Sequence, residues 1–151
     1  MNVISEPVKK VIFWAFILNT IWEFVQCGFL YGMWDWPFLK ATVWMWGAVL
    51  GDIIIVLGLW RATSMLTSSV HLEPRLGRKG YIVLFGLSFA ASIFLEWVAI
   101  FLSLWEYTSA MPELTIFSYE VGLSPIVQIT VLPALSIYLT DITTDKPVPR
   151  K

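Results

Sequence analysis

The chain has 151 residues, 58% hydrophobic and 14% charged, with a formal net charge of -1. An average soluble domain carries roughly 25% charged residues, so this deficit points to lipid as the surrounding medium. No basic block with interleaved aromatics is present to track a nucleic-acid backbone, and the lone Cys27 excludes an intramolecular disulfide and reads as a small apolar filler.

Four stretches are apolar and free of Lys and Arg: Val11 to Tyr31, Ala41 to Trp60, Tyr81 to Leu104, and Val121 to Leu139. Each is about 20 residues long, the length a helix needs to cross about 30 Å of hydrocarbon. The expected fold is therefore all-α, a polytopic four-transmembrane-helix bundle. One domain covers residues 1–140, and residues 141–151, rich in Thr, Pro and charge, form a disordered cytoplasmic tail. Lys9 and Lys10 ahead of the first apolar run imitate a signal peptide. That run is longer than a signal h-region and no small-x-small cleavage site follows, so it reads as a retained helix.

The first connection, Gly32 to Lys40, carries Trp34, Asp35, Trp36 and Pro37 and closes a helical hairpin. The second, Arg61 to Gly80, is polar, holds the single His71, and is marked as loop by Pro74 and Gly77. The third, Trp105 to Glu120, contains Glu106, Glu113 and Glu120 and no basic residue. Lys and Arg accumulate in short cytoplasmic segments. Lys9, Lys10, Arg61, Arg75, Arg78, Lys79, Lys146, Arg150 and Lys151 fall on one side and only Lys40 on the other, which places both termini inside. The expected location is the plasma (inner) membrane of a prokaryote. Trp34, Trp36 and Trp105 suit the outer interface and Trp60 the inner one.

Glu23, Asp52 and Glu96 lie well inside their spans, where a charged acid costs roughly 2.5 to 3.5 kcal/mol. No span holds a Lys or Arg to pair with them. The carboxyls must then be protonated and hydrogen-bonded, or must surround a cation or an amine-bearing ligand. Asn19, Glu23 and Gln26 recur at i, i+4 and i+7 and share one face of the first helix. Ser92, Glu96, Ala99 and Ser103 step along the third in the same way. In the second, Gly47-x-x-x-Gly51 permits close helix approach beside Ala48 and Asp52, within one chain or across a homodimer. The fourth supplies Gln128. The candidate ligand site is Asn19, Glu23, Gln26, Asp52, Glu96 and Gln128; bonds that merely fix helix packing are the competing reading.

Ser124-Pro125 reads as an N-cap followed by a first-turn proline, so the fourth helix can begin there rather than at Val121. Pro133 kinks that helix, or breaks it beside a cavity. Trp22 and Trp97, each next to an acid, face neighbouring helices or lipid, with an indole-to-carboxylate hydrogen bond as the alternative. One loop histidine and one cysteine exclude bis-histidine haem and zinc, and the expectation is no cofactor and no metal.

At Asn19-x-x-Trp22-Glu23-x-x-Gln26, Gly51-Asp52 and Gly122-x-x-Pro125-x-x-Gln128, the chain resembles a group of small prokaryotic four-span membrane proteins of unassigned function. That resemblance implies a topology and no activity. A fainter likeness, carried by the four-span layout with Glu23 and Glu96, is to the four-helix sterol-isomerase and sigma-2-receptor superfamily, where membrane-embedded acids face a lipid-like ligand. The expected partners are the bilayer and a small lipid-like molecule, with acid catalysis on an isoprenoid or sterol-like substrate as an extension. A cation- or proton-coupled carrier and an accessory subunit of a membrane complex are the alternatives, and a homodimer suits the carrier.

Overall fold

The computed structural model describes residues 5–67 and 75–144; His71, Pro74 and the tail from residue 145 onward lie outside the described residues. Its helices are α1 (Glu6–Phe29), α2 (Phe38–Leu66), α3 (Arg78–Phe101) and α4 (Leu123–Thr144), with a 3-10 turn at Met33–Asp35. All four α-helices are long and apolar enough to cross a membrane, as expected. One addition is a small antiparallel hairpin of β1 (Glu113–Ile116) and β2 (Tyr119–Gly122).

Several helices outrun their apolar stretches, because backbone hydrogen bonding continues where side chains become polar. α1 starts at Glu6 with proline in its first turn. α2 spans 29 residues, about 43 Å at 1.5 Å per residue. It carries Arg61 to Leu66 out of the expected second loop, and α3 claims Arg78 to Gly80 from the loop's other end, with Gly77 extended as its N-cap. α4 runs through residues 141–144, which were expected in the tail. Thr140, Thr143 and Thr144 hydroxyls donate to carbonyls one turn back, and the Lys10 ammonium donates to Thr143 O at 3.2 Å and Thr144 Oγ1 at 3.3 Å.

At the other end, α3 stops at Phe101 rather than Leu104, and Ser103 turns the chain with φ 50. Val121 belongs to β2, opposite Leu114, and α4 begins at Leu123, so Ser124 is not the N-cap expected of it: it lies inside the first turn and its hydroxyl bonds across to Gln26. Pro133 lies inside a continuous α4, so that helix is not broken. The missing proline N–H leaves the carbonyl of Ile129 without its usual partner.

Burial is inverted relative to a water-soluble protein. Glu96 and Gln128 are each 2% exposed, while Ile54 is 70% and Phe101 85% exposed. Such a surface requires hydrocarbon around it, and this places the chain in a bilayer as a multi-pass protein. α4 packs against all three other helices, and α2 lies between α1 and α3. An apolar core of Val11, Val56, Trp60, Leu84 and Ile137 fills the end that holds the start of α1 and the close of α4. Trp60, expected at the inner interface, is fully enclosed in that core. Arg75 and Asp141, paired at 3.0 Å, tie the second connection to the same end.

The opposite end is closed by stitching the first and third connections together. Tyr31 and Tyr107 form an antiparallel bridge, flanked by Gly32 N–H to Glu106 O at 3.1 Å and Thr108 N–H to Leu30 O at 3.0 Å. The β-hairpin lies on α3, with Phe117 and Tyr119 against the Trp97 ring at 5.8 and 6.4 Å. Trp97 therefore supports the hairpin and does not reach a carboxylate.

The two turn residues of that hairpin, Phe117 and Ser118, have φ of 48 and 68. This left-handed backbone suits the twist of a two-residue hairpin and is costly for side-chain-bearing residues. Ser118→Gly should stabilise the folded chain by about 1 kcal/mol, read as a rise in thermal midpoint in lipid nanodiscs; an unchanged or lower midpoint would count against this backbone.

Candidate functional site

Gln128 stands at the centre of a hydrogen-bonded network spanning α1, α2 and α4. Its Nε2 donates towards Asp52 Oδ2 at 2.7 Å, Glu23 Oε1 at 2.8 Å and Asn19 Oδ1 at 3.1 Å. Its Oε1 accepts from Gln26 Nε2 at 2.8 Å, and the same nitrogen also donates to Glu23 Oε1 at 2.7 Å. Helical spacing explains the α1 contribution: Asn19, Glu23 and Gln26 form one stripe, turned inward by the apolar residues facing lipid around it.

Which way the amides point follows from one donor that cannot accept, the Trp22 indole. The indole N–H of Trp22 donates to Gln26 Oε1 at 3.2 Å, and the Ser124 hydroxyl donates to the same oxygen at 2.9 Å. An indole nitrogen is a donor only. Gln26 must therefore turn its nitrogen inward, and Gln128 must answer with its oxygen and present its nitrogen to the acids. The two N–H groups of each amide then serve the four oxygens within reach, Gln128 Oε1, Glu23 Oε1, Asp52 Oδ2 and Asn19 Oδ1, so it is the approach of the Glu23 carboxyl to Asp52 that calls for a shared proton or a further donor. Glu23 and Asp52 lie in hydrogen-bonding contact with one another.

Glu96 is not part of this network. Its carboxyl accepts a hydrogen bond from the Tyr107 hydroxyl, which also receives the Gly122 N–H at 3.4 Å. Gly122 leaves room for this approach, since a Cβ there would meet Tyr107 Cζ at 3.0 Å and press on the ring. Burial above all, and then the Glu96 carboxyl, push the Tyr107 phenol above its usual range. The phenol therefore stays a donor at neutral pH. The sign is that of a raised folded value: this stabilisation is present below the ordinary tyrosine pKa of about 10 and is lost as pH climbs beyond it.

Glu23, Asp52, Glu96, Gln26 and Gln128 all line one cavity of about 240 Å³. Asn19 supports it from behind, donating to Ala15 O at 2.9 Å. None of the cavity-lining residues is cationic. Its remaining walls are apolar or aromatic, including Trp44, Ile55, Leu95 and Val98, and Tyr31 and Trp105 roof it edge to face at 5.8 Å. Cys27, expected as filler, also reaches the cavity and contacts Glu23 Oε2 at 3.5 Å. Among the described residues no His, Cys, Asp and Glu group is arranged to hold a metal ion.

Three expectations change. The Gly47-x-x-x-Gly51 seam brings no helix close within the chain, because a Cβ at either glycine would touch nothing within 4 Å. The polar stripe of α3 ends at Ala99: Ser92 Oγ donates to its own helix at Phe89 O, and Ser103 is exposed beyond the helix end. Trp105, expected as an interface anchor, roofs the cavity, and its indole N–H is buried without an acceptor.

Tyr31 in the cavity wall, Ser124 on Gln26 and Tyr107 on Glu96 are contacts that sequence reasoning did not assign to the site. Only Ser124 had a signal, as a polar residue at the start of a span. Comparison with known protein families, curated proteins and solved structures finds no match to this chain.

Tyr107→Phe removes the donor to a buried carboxyl and should cost about 1–3 kcal/mol of stability. Gly122→Ala, by displacing the same ring, should lower stability through the same contact. The double variant should then fall short of the sum of the singles, measured by unfolding in nanodiscs; strict additivity would show that the two positions act separately.

Proposed function

We propose that this multi-pass membrane protein binds a lipid-like small molecule, its head a protonated amine held against Glu23, Asp52 and Glu96. The observation that carries the reading is one cavity faced by three carboxyls with no cationic residue in its wall. In hydrocarbon such a set needs positive charge from outside the chain, or shared protons. An amine supplies both the positive charge and the donors that the adjoining Glu23 and Asp52 carboxyls call for. Aromatic and aliphatic walls accept the apolar part beside that head.

The basic end of the bundle, with Lys9, Lys10, Arg61, Arg75, Arg78 and Lys79, would face the cytoplasm. That puts the cavity in the outer half of the membrane. A prokaryotic plasma membrane accords with the resemblance to small four-span proteins.

A second reading, a proton-coupled carrier, is favoured by the contact of Glu23 with Asp52 beside the Gln128 amide, where one proton can be held and released. It requires flux across liposomes that follows an imposed pH gradient; flux indifferent to the gradient would exclude it.

The amine reading is tested by titrating nanodisc-embedded protein with a fluorescent long-chain primary alkylamine. Wild type should bind saturably, and folded Glu23→Gln/Glu96→Gln should bind at least about tenfold more weakly. Equal affinity in the two proteins would remove the acids from the site.

A further inference from the structure

The two flanks of α2 differ in a way that decides how a ligand reaches the carboxyls. α1 occupies the flank marked by Trp46, whose indole stacks on Phe16 at 6.1 Å and meets Phe24 edge-on at 5.7 Å. Ala48, Gly51 and Ile55 lie on the other flank, towards α3, where they line the cavity with Leu95, Val98 and Ala99. Going round α2 from the half-buried Asp52 to the exposed Gly47, the surface passes through Gly51, where an added Cβ would meet no atom within 4 Å. The wall between cavity and lipid is therefore thinnest along this seam.

The other sides are walled by more side chains: even where a hollow of about 420 Å³ lies under the connections, Met33, Trp44, Leu104 and Trp105 stand between it and the cavity. Above lies the stitched pair of connections, with Tyr31 and Met33 4% and 8% exposed. Below, Leu59, Trp60 and Leu84 belong to the buried apolar core. Towards α1 and α4 the Gln128 network fills the interior. A second hollow of about 400 Å³ lies between Phe24, Gly28 and Met45. Buried Cys27 and Met33 line both spaces and stand between them.

Size points the same way. Sites that take up most of a drug-sized ligand hold roughly 300–1,000 Å³. A cavity of about 240 Å³ accepts a headgroup and the start of a chain, so the rest of a lipid-sized molecule must stay outside. We infer that the ligand is a membrane-dissolved, single-chain amphiphile that reaches the cavity sideways through the α2–α3 seam, leaving its chain among the acyl chains. This rests on the amphiphile reading of the cavity, and adds a route and a ligand shape to it.

The test uses full-length protein in phosphatidylcholine nanodiscs and a long-chain primary alkylamine bearing a diazirine in its chain. After irradiation, crosslinked residues are mapped by peptide mass spectrometry, with and without excess unlabelled amine. Competable crosslinks should concentrate on Ala48, Ile55, Leu95 and Val98. They should fall about tenfold in Gly51→Leu, which fills the seam. They should persist in Gly58→Leu, which adds the same bulk to an exposed, equally open position on α2 outside the cavity. Gly51→Ala, a smaller plug that also favours helix, gives an intermediate loss and serves the comparison if the leucine variant does not fold.

Competable crosslinks that lie on Phe24 and Met45 or on the outer connections, and survive both Gly51 substitutions, would overturn the sideways route while leaving the amphiphile site standing. Absence of any competable crosslink would overturn the site and the route together.

Discussion

The Gln128 side-chain amide holds together the half of the bundle that lies towards the β-hairpin. In hydrocarbon a polar group without a partner is costly, and there is no water to take the place of a missing one. A single amide bonding to Asn19, Glu23 and Gln26 on α1 and Asp52 on α2 therefore fixes the level and rotation of three helices at once. Its direction is inherited from the donor-only Trp22 indole by way of Gln26, and the Ser124 hydroxyl follows by donating to the same oxygen. Loss of any link reverses or empties the next, which makes the network a unit rather than a set of separate bonds.

α3 is attached by different means. It shares the apolar core through Leu84, but towards the β-hairpin its acid turns to Tyr107 in the overlying connection instead of joining the amides. The hairpin clasps it from outside through Trp97. With α1, α2 and α4 drawn together by Gln128 and α3 held from above, a space is left between α2 and α3 that carboxyls face from both sides. The cavity follows from two bonding systems that do not merge. Tyr31 and Trp105 cover it at the end next to the connections, with Tyr107 packed on Tyr31 behind them.

The parts legible in the sequence are those governed by short-range rules. Apolar length announced the four spans, and the helical repeat of Asn19, Glu23 and Gln26 announced a polar face. Asp52 and Gln128 stood out because hydrocarbon should reject them, and the structure brings both to that face. The meeting of Tyr107 with Glu96 is a tertiary event: nothing local distinguishes that tyrosine from others near the interface. The β-hairpin was hidden because Phe117-Ser118 lacks the Asn-Gly type of turn signal, and because Val121 continued smoothly into the apolar fourth span. The spacing of Gly47 and Gly51 suggested close packing, yet those positions open onto space. Spacing records where a backbone could approach, and only the neighbouring helix decides whether it does.

On the proposed reading these carboxyls and amides organise an interior site rather than serving only to pin helices together. Native mass spectrometry of the chain, extracted in gentle detergent from the membrane in which it is made, tests this most directly. A single amphiphile retained per chain, and absent from a folded Gln128→Leu variant, is the predicted result. A bare chain mass for wild type, under conditions that preserve lipid on other membrane proteins of the same preparation, would contradict it.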